Sequence, residues 1–223
     1  MRGFFARNKF WILLFLMAFV GVPSVKAQKS VWKCVKHKDS VRVYSRKSNT
    51  TNYRIVKVTT QLKTTLSSLV RLVTDFPNNK NWVFLNEKTE ILKKENHHLW
   101  ILYSVTDAPW PVTDRDIVSR TVLSQDSMTK IVTIRGEAIP RYRPVNPYYV
   151  RIPFALSRWR FIPLKDRLVE IEFTLELDVG GSIPQWLANM AATEGPYQTL
   201  RRFRKEIQRK KYRDAHLSFI KEP

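Results

Sequence analysis

From Val169 to Val179 apolar and polar side chains alternate without a break. Val169, Ile171, Phe173, Leu175, Leu177 and Val179 fall on one face of an extended segment, and Glu170, Glu172, Thr174, Glu176 and Asp178 on the other. A period of two over this length describes a strand in a sheet with one apolar and one wet face. The carboxylate row is the ordinary exposed side of such a strand, and no metal or acid–base chemistry is assigned to it.

The strand, predicted over 167–179, is the last of a series. Shorter runs rich in β-branched residues predict strands at 32–36, 41–46, 53–62, 86–95, 98–106, 115–125, 128–139 and 156–164, with polar turns such as Lys38-Asp39-Ser40 between them. One helix interrupts the series. Thr64 or Thr65 can cap it, Leu66, Leu69, Val70, Val73 and Phe76 recur at helical spacing, and Pro77 stops its simple continuation. After Gly180-Gly181 the pattern turns helical for good: from Pro184 a stripe of Leu187, Met190, Ala191, Tyr197, Leu200, Phe203 and Ile207 is bordered by Arg201, Arg202, Arg204, Lys205, Arg209, Lys210 and Lys211. Gly195-Pro196 should kink or locally open this helix. It can be an ordinary helix packed on the sheet, or a hinged lid.

The N-terminus is set apart from the fold. Arg2, Arg7 and Lys9 precede a short apolar core from Phe10 to Val22, and Val25-Lys26-Ala27 resembles a cleavage site, so residues 1–27 read as a signal peptide of an exported, periplasmic or secreted protein. The apolar run is shorter than the roughly 20 residues that cross a bilayer. No Gly/Ser- or Pro-rich spacer divides the rest, which reads as one domain over 28–212 with a tail at 213–223. Cys34, the only cysteine, allows no internal disulfide and reads as a buried thiol. Removing residues 1–27 takes away four of the 39 basic side chains and no acidic one, leaving 35 against 19, or +16. For an exported chain this excess favours a transient contact with an anionic membrane surface over nucleic acid.

Two motifs carry most of the functional information: Ala108-Pro-Trp-Pro-Val-Thr-Asp-Arg-Asp116, and Asp178-Val-Gly-Gly-Ser-Ile-Pro-Gln-Trp186. With an early tryptophan, the element Asn81-Trp82 and a strand holding Trp159 and Pro163, they make residues 31–209 resemble the START lipid-transfer domain. The resemblance implies an α+β helix-grip fold: a curved antiparallel sheet round the C-terminal helix, with a hydrophobic tunnel holding one lipid in a monomer. It implies a gate between the 106–114 loop and that helix, with Trp110 and Trp186 at the gate or membrane surface; Trp110 can equally be a buried plug. Candidate tunnel residues are Trp82, Tyr103, Trp159, Phe161, Phe173 and Met190, each of which ordinary core packing would also explain. Arg115 is either an ion-pair partner of Asp114 or Asp116, or a head-group anchor. Sterol-binding members carry an arginine six residues beyond this one; here Thr121 stands in its place, and the strand Leu99–Val105 offers no carboxylate, so the sterol pair is absent.

The main rival reading is an enzyme of the cyclase or aromatase type, which share the fold more loosely; a non-transferring lipid sensor is the other. Catalysis needs a nucleophile with an oriented base. His37, His97, His98 and His216 form no such pattern, and no Gly-x-Ser-x-Gly, Cys-x-x-Cys, His-Glu-x-x-His or phosphate-loop motif occurs. No cofactor and no metal are expected.

Overall fold

The computed structural model describes residues 31–49 and 54–223; the segment read as a signal peptide lies outside them. The strands foreseen from alternation form β1 (Lys33–Lys38), β2 (Val41–Lys47), β3 (Arg54–Lys63), β4 (Asn86–Lys94), β5 (Leu99–Thr106), β6 (Arg115–Gln125), β7 (Val132–Ala138), β9 (Phe154–Pro163) and β10 (Leu168–Asp178). A two-residue strand not foreseen, β8 (Val150–Arg151), runs parallel to β6. The others make one antiparallel sheet in the order β1-β2-β3-β10-β9-β7-β6-β5-β4. The strand with the strongest alternation is therefore central, with Phe173 opposite Val58 on one side and Trp159 on the other.

One expected boundary moves. The strand foreseen from residue 128 begins at Val132, because Asp126 Oδ1 accepts from the Met128 and Thr129 amides (3.1 and 2.7 Å) and ties 126–130 into a turn. A second difference concerns Cys34, which is exposed on the edge strand β1 and is not a buried thiol.

The helices cover one face of the sheet. Helix α1 (Leu66–Thr74) is capped by Thr65, whose hydroxyl accepts from Ser68 N (3.1 Å), and runs through a 3₁₀ turn at Phe76–Asn78 into α2 (Asn79–Trp82). After Asp178 the backbone takes positive φ at both Gly180 and Gly181. Only glycine fits at Gly180, where a Cβ would also stand 3.2 Å from the Arg151 carbonyl oxygen. Pro184 then caps α3 (Gln185–Asn189), a π-turn spans Met190–Glu194, and α4 (Gly195–Glu206) follows, with α5 (Lys210–Arg213) behind it. The π-turn is the local opening foreseen at Gly195-Pro196, since Pro196 offers no N–H to the preceding turn. Tyr197, Leu200, Phe203 and Ile207 point from the terminal helix into a core shared with Val43 of β2 and Trp100 of β5. Strands from both wings of the sheet thus meet the same helix, which is the helix-grip arrangement.

Residues 213–223, read as a tail, are docked on the domain. Ile220 is buried in the core, Lys221 exchanges two hydrogen bonds with the Gln125 amide (2.7 and 2.8 Å), and the Glu222 carboxylate accepts from the free N–H groups of Leu66 and Ser67 (both 2.9 Å). An anion at a helix N-terminus satisfies orphan donors and meets the positive end of the helix dipole.

The opposite face of the sheet carries a smaller cluster of Ile101, Tyr103, Val105 and Val118, packed against Ile139 and Tyr149. Tyr103 therefore stands away from the tunnel for which it was a candidate, because β5 points its odd-numbered side chains outward. Asp116 lies on the same side, fully buried, and is gripped by Arg151 through Nε (2.7 Å) and Nη2 (2.9 Å). Arg151 also donates to the Pro140 carbonyl (2.7 Å). The pairing of Arg115 with Asp116 foreseen from their adjacency is corrected: neighbours on a strand point to opposite faces, so the partner comes from β8. Burial and then the Asp116 charge push the Tyr103 phenol up to about 12.

Two stability effects follow. Glu222→Ala should lower unfolding free energy by about 1 kcal/mol in denaturant titrations, as loss of a cap does. Arg151→Met leaves Asp116 buried without its countercharge and should cost about 3–5 kcal/mol, part of which the Arg151→Met/Asp116→Asn double variant regains.

Candidate functional site

The apolar face of β10 divides in two. Val169 and Ile171 are buried in the core, whereas Phe173, Leu175, Leu177 and Val179 are only half-buried. What the second group faces is a hollow of about 360 Å³. Its walls come from β9 (Ser157, Trp159), the α2 region (Asn79, Trp82, Val83, Phe84), the 106–115 segment (Thr106, Ala108, Arg115) and the terminal helices (Leu187, Ala191, Pro196, Thr199). A second hollow of about 290 Å³ shares Leu175, Leu177, Val179, Ile183 and Ala191 with it. Both volumes lie within or near the lower end of the range usual for small-molecule sites. Ile183, Leu187 and Ala191 show how the hollow arises: the Gly-Gly turn carries the chain away from the sheet, and the π-turn holds the helix out until α4 packs down again.

Aromatic rings separate the hollow from the solid core. Trp159 stands 4.4 Å from Phe173, 5.9 Å from Trp82 and 5.5 Å from Phe203, centroid to centroid, and Trp82 meets Phe203 edge-on at 5.3 Å. Trp82, Trp159 and Phe173 thus line the space as foreseen. Phe161 and Met190 do not: Phe161 is wholly buried in the core below Trp159, and Met190 sits in the π-turn outside the lining.

Both sequence motifs contribute to the wall, the first through Ala108 and Arg115 and the second through Val179 and Ile183. Pro109 O accepts from Val112 N (3.1 Å), closing a turn with Trp110 at its apex, and Asp114 Oδ1 accepts from Ala108 N (2.8 Å), tying the base of the loop. Ala108 and Leu187 line the hollow, whereas Trp110 and Trp186, two residues and one residue away in the chain, do not. Trp110 is 90% exposed, which removes the buried-plug reading; Trp186 is 48% exposed.

The polar content of the wall is small and unusual. Arg115 is buried, lines the hollow and forms no ion pair with any of the described residues. Its Nη1 donates to the Thr113 carbonyl and its Nε has no partner. Burial lowers its pKa from the ordinary value, opposed by the charge of Asp114. Two further lining residues each hold a buried polar atom without a partner, Trp82 Nε1 and Asn79 Oδ1. Sequence reasoning missed Asn79, as well as Leu175 and Leu177, although the last two share the Phe173 face of β10 and could have been read from the same alternation. Thr121 shares the inward face of β6 with Arg115 but is buried beside Gly136, outside the hollow. No cluster of three His, Cys, Asp or Glu side chains able to hold a metal occurs among the described residues. His97 and His98 instead pack on Phe219.

Comparisons with known proteins agree with this geometry. The START domain family model matches residues 21–213. An uncharacterised protein of Pseudomonas aeruginosa is 30% identical over 179 residues, covering 80% of this chain and 88% of its own length. A STAR-related lipid transfer protein from Xanthomonas axonopodis has a solved structure with a TM-score of 0.73 at 30% identity, over 80% of this chain and 99% of that one. Human STARD10 (TM-score 0.69, 16% identity, 82% and 74% covered) and the Zhui aromatase/cyclase from Streptomyces (0.51, 14%, 70% and 94%) share the fold. With an apolar hollow suited to a hydrophobic ligand and a family model spanning the described sheet and helices, this chain belongs to the START domain family.

Proposed function

We propose that this protein carries one lipid-class molecule in the hollow and exchanges it at a membrane surface, opening between the 106–114 loop and the α3–α4 segment of the C-terminal helix. The single observation that carries the reading is the half-buried apolar face of Phe173, Leu175, Leu177 and Val179, left uncovered inside the fold. Every Å² of ligand hydrocarbon withdrawn from water there contributes about 25 cal/mol. An amphipathic tryptophan at the apex of a mouth loop suits the headgroup layer, and the exposed Arg201, Arg202 and Lys205 of α4 suit an anionic leaflet.

Binding is favoured over turnover by the composition of the wall. Among the described residues that line the 360 Å³ hollow there is no histidine, cysteine or carboxylate to serve as base or nucleophile, only the hydroxyls of Thr106, Ser157 and Thr199; the adjoining hollow has Asp178 in its wall. The protein acts as a monomer in this reading, and outside the cytoplasm. The basic residues Arg2, Arg7 and Lys9 before the apolar run from Phe10 to Val22 support export, and mature protein recovered from the periplasm or medium should begin near Gln28 on N-terminal sequencing.

Native mass spectrometry of protein purified from a lipid-rich host should show a bound mass that solvent extraction releases as lipid. Transfer of a labelled lipid between anionic vesicles should then slow severalfold in Trp110→Ala, with unfolding free energy changed by less than about 0.5 kcal/mol, as for a surface substitution. Capture without transfer would make the protein a sensor, and conversion of the bound mass would make it an enzyme. Transfer at the wild-type rate in Trp110→Ala would remove the tryptophan from the gate.

A further inference from the structure

Arg115 is the one charged side chain among the described residues that line the 360 Å³ hollow, and no acidic residue lines it; Arg54 and Asp178 belong to the adjoining one. The Arg115 backbone is held on both sides, by Thr106 of β5 and Val150 of β8, and its Nη1 is fastened to the Thr113 carbonyl. The sheet thus fixes the backbone of Arg115, and the Thr113 carbonyl holds its guanidinium. Asp114, turned back onto the Ala108 amide (2.8 Å), acts on the guanidinium through space without forming an ion pair, and Asp116 is paired with Arg151 on the far face. A buried cation without a partner costs several kcal/mol, and the cost is offset where an anion arrives to pair with it. Five N–H donors in a planar fork fit the two oxygens of a carboxylate or phosphate better than any neutral group.

The unpartnered atoms of the other lining residues agree in part. Trp82 Nε1 is a second donor that asks for an oxygen acceptor. Asn79 Oδ1, whose amide nitrogen donates to Thr89 Oγ1 (3.4 Å), is left to receive a hydroxyl. Two donors, one of them charged, and one acceptor suit an oxygen-bearing head group; apart from Thr106, Ser157 and Thr199 the rest of the wall is apolar. Leaving such atoms unmade in a dry site costs about 1–3 kcal/mol each, so a ligand that satisfies them is selected against one that does not.

We propose that the hollow selects lipids with an anionic head, a carboxylate or a phosphate, through Arg115, rather than neutral lipids of the same chain. This rests on the carrier reading above and names the class of its cargo.

The test uses the full mature chain, freed of bound lipid and offered phosphatidylcholine vesicles doped with radiolabelled oleate, 1-oleoyl lysophosphatidic acid or oleyl alcohol, with lipid bound per protein counted after separation from the vesicles. Oleate or the lysophosphatidic acid should be taken up with about tenfold preference over oleyl alcohol, the ratio one charge-assisted hydrogen bond provides; whichever of the two is preferred assigns carboxylate or phosphate. In Arg115→Met the ratio should fall to near one, and in Arg115→Lys it should be intermediate, because the charge stays and the fork is lost. Equal uptake of oleyl alcohol and both anionic lipids by the wild type overturns the proposal without any variant, as does an unchanged ratio in Arg115→Met. Uptake of oleyl alcohol alone leaves the carrier reading standing and removes the anionic selectivity, whereas uptake of none of the three removes both.

Discussion

The backbone pairing of β10 with β3 on one edge and β9 on the other is the interaction on which the rest of the structure depends. It joins the N-terminal strands to the second run of strands across more than a hundred residues of chain, with nine consecutive residue pairs on one side and ten on the other. It also sets which way every side chain of the longest amphipathic strand points. Once that register exists, Val169 and Ile171 must meet the helices, and Phe173 to Val179 must meet whatever the Gly180-Gly181 turn allows to come back over them. The carboxylate face is not the exposed side expected, since Glu176 on it is buried and its neighbours half-buried, and a shift by one residue would exchange the two faces and turn the carboxylates against α4.

The C-terminal helix answers the two halves of β10 differently. Along α4 a regular stripe packs down: Tyr197, Leu200, Phe203 and Ile207 are nearly inaccessible to water. Between Pro184 and Gly195 the helix is interrupted by the π-turn, and only the smaller contacts of Leu187 and Ala191 reach toward the strand. The core and the hollow are thus one continuous apolar layer, filled at one end and left open at the other. Tight packing supplies stability where it is present; where it is withheld, the same apolar surface becomes available to a ligand.

Particular residues show how far the sequence could be read. Period-two alternation found the strands and named the inward face of β10, and the helical stripe named the inward residues of α4, because both depend only on local geometry. The same period-two rule, applied to Arg115 and Asp116, would have separated them; adjacency suggested a pair that the sheet makes impossible. Tyr103 and Phe161 illustrate a different limit. Each is a large apolar side chain on a strand, but one lies on the far face and one lies under Trp159, and nothing in the local pattern distinguishes lining from filling. Glu222 is more remote still: its partners are the first amides of α1, some 155 residues away, and no spacing rule reaches so far.

The sequence by itself determined the element order, the amphipathic faces, the Gly-Gly turn and the break at Gly195-Pro196, since each follows from backbone sterics or from side-chain period within a few residues. Only the tertiary structure decided that part of the β10 face would stay uncovered, that Arg151 and not Arg115 would neutralise Asp116, and that Arg115 would be left as a lone cation in an apolar wall. These outcomes depend on which surfaces meet in space, and so on strand register and helix trajectory together, quantities fixed by the summed burial of the whole domain and by no single stretch of it.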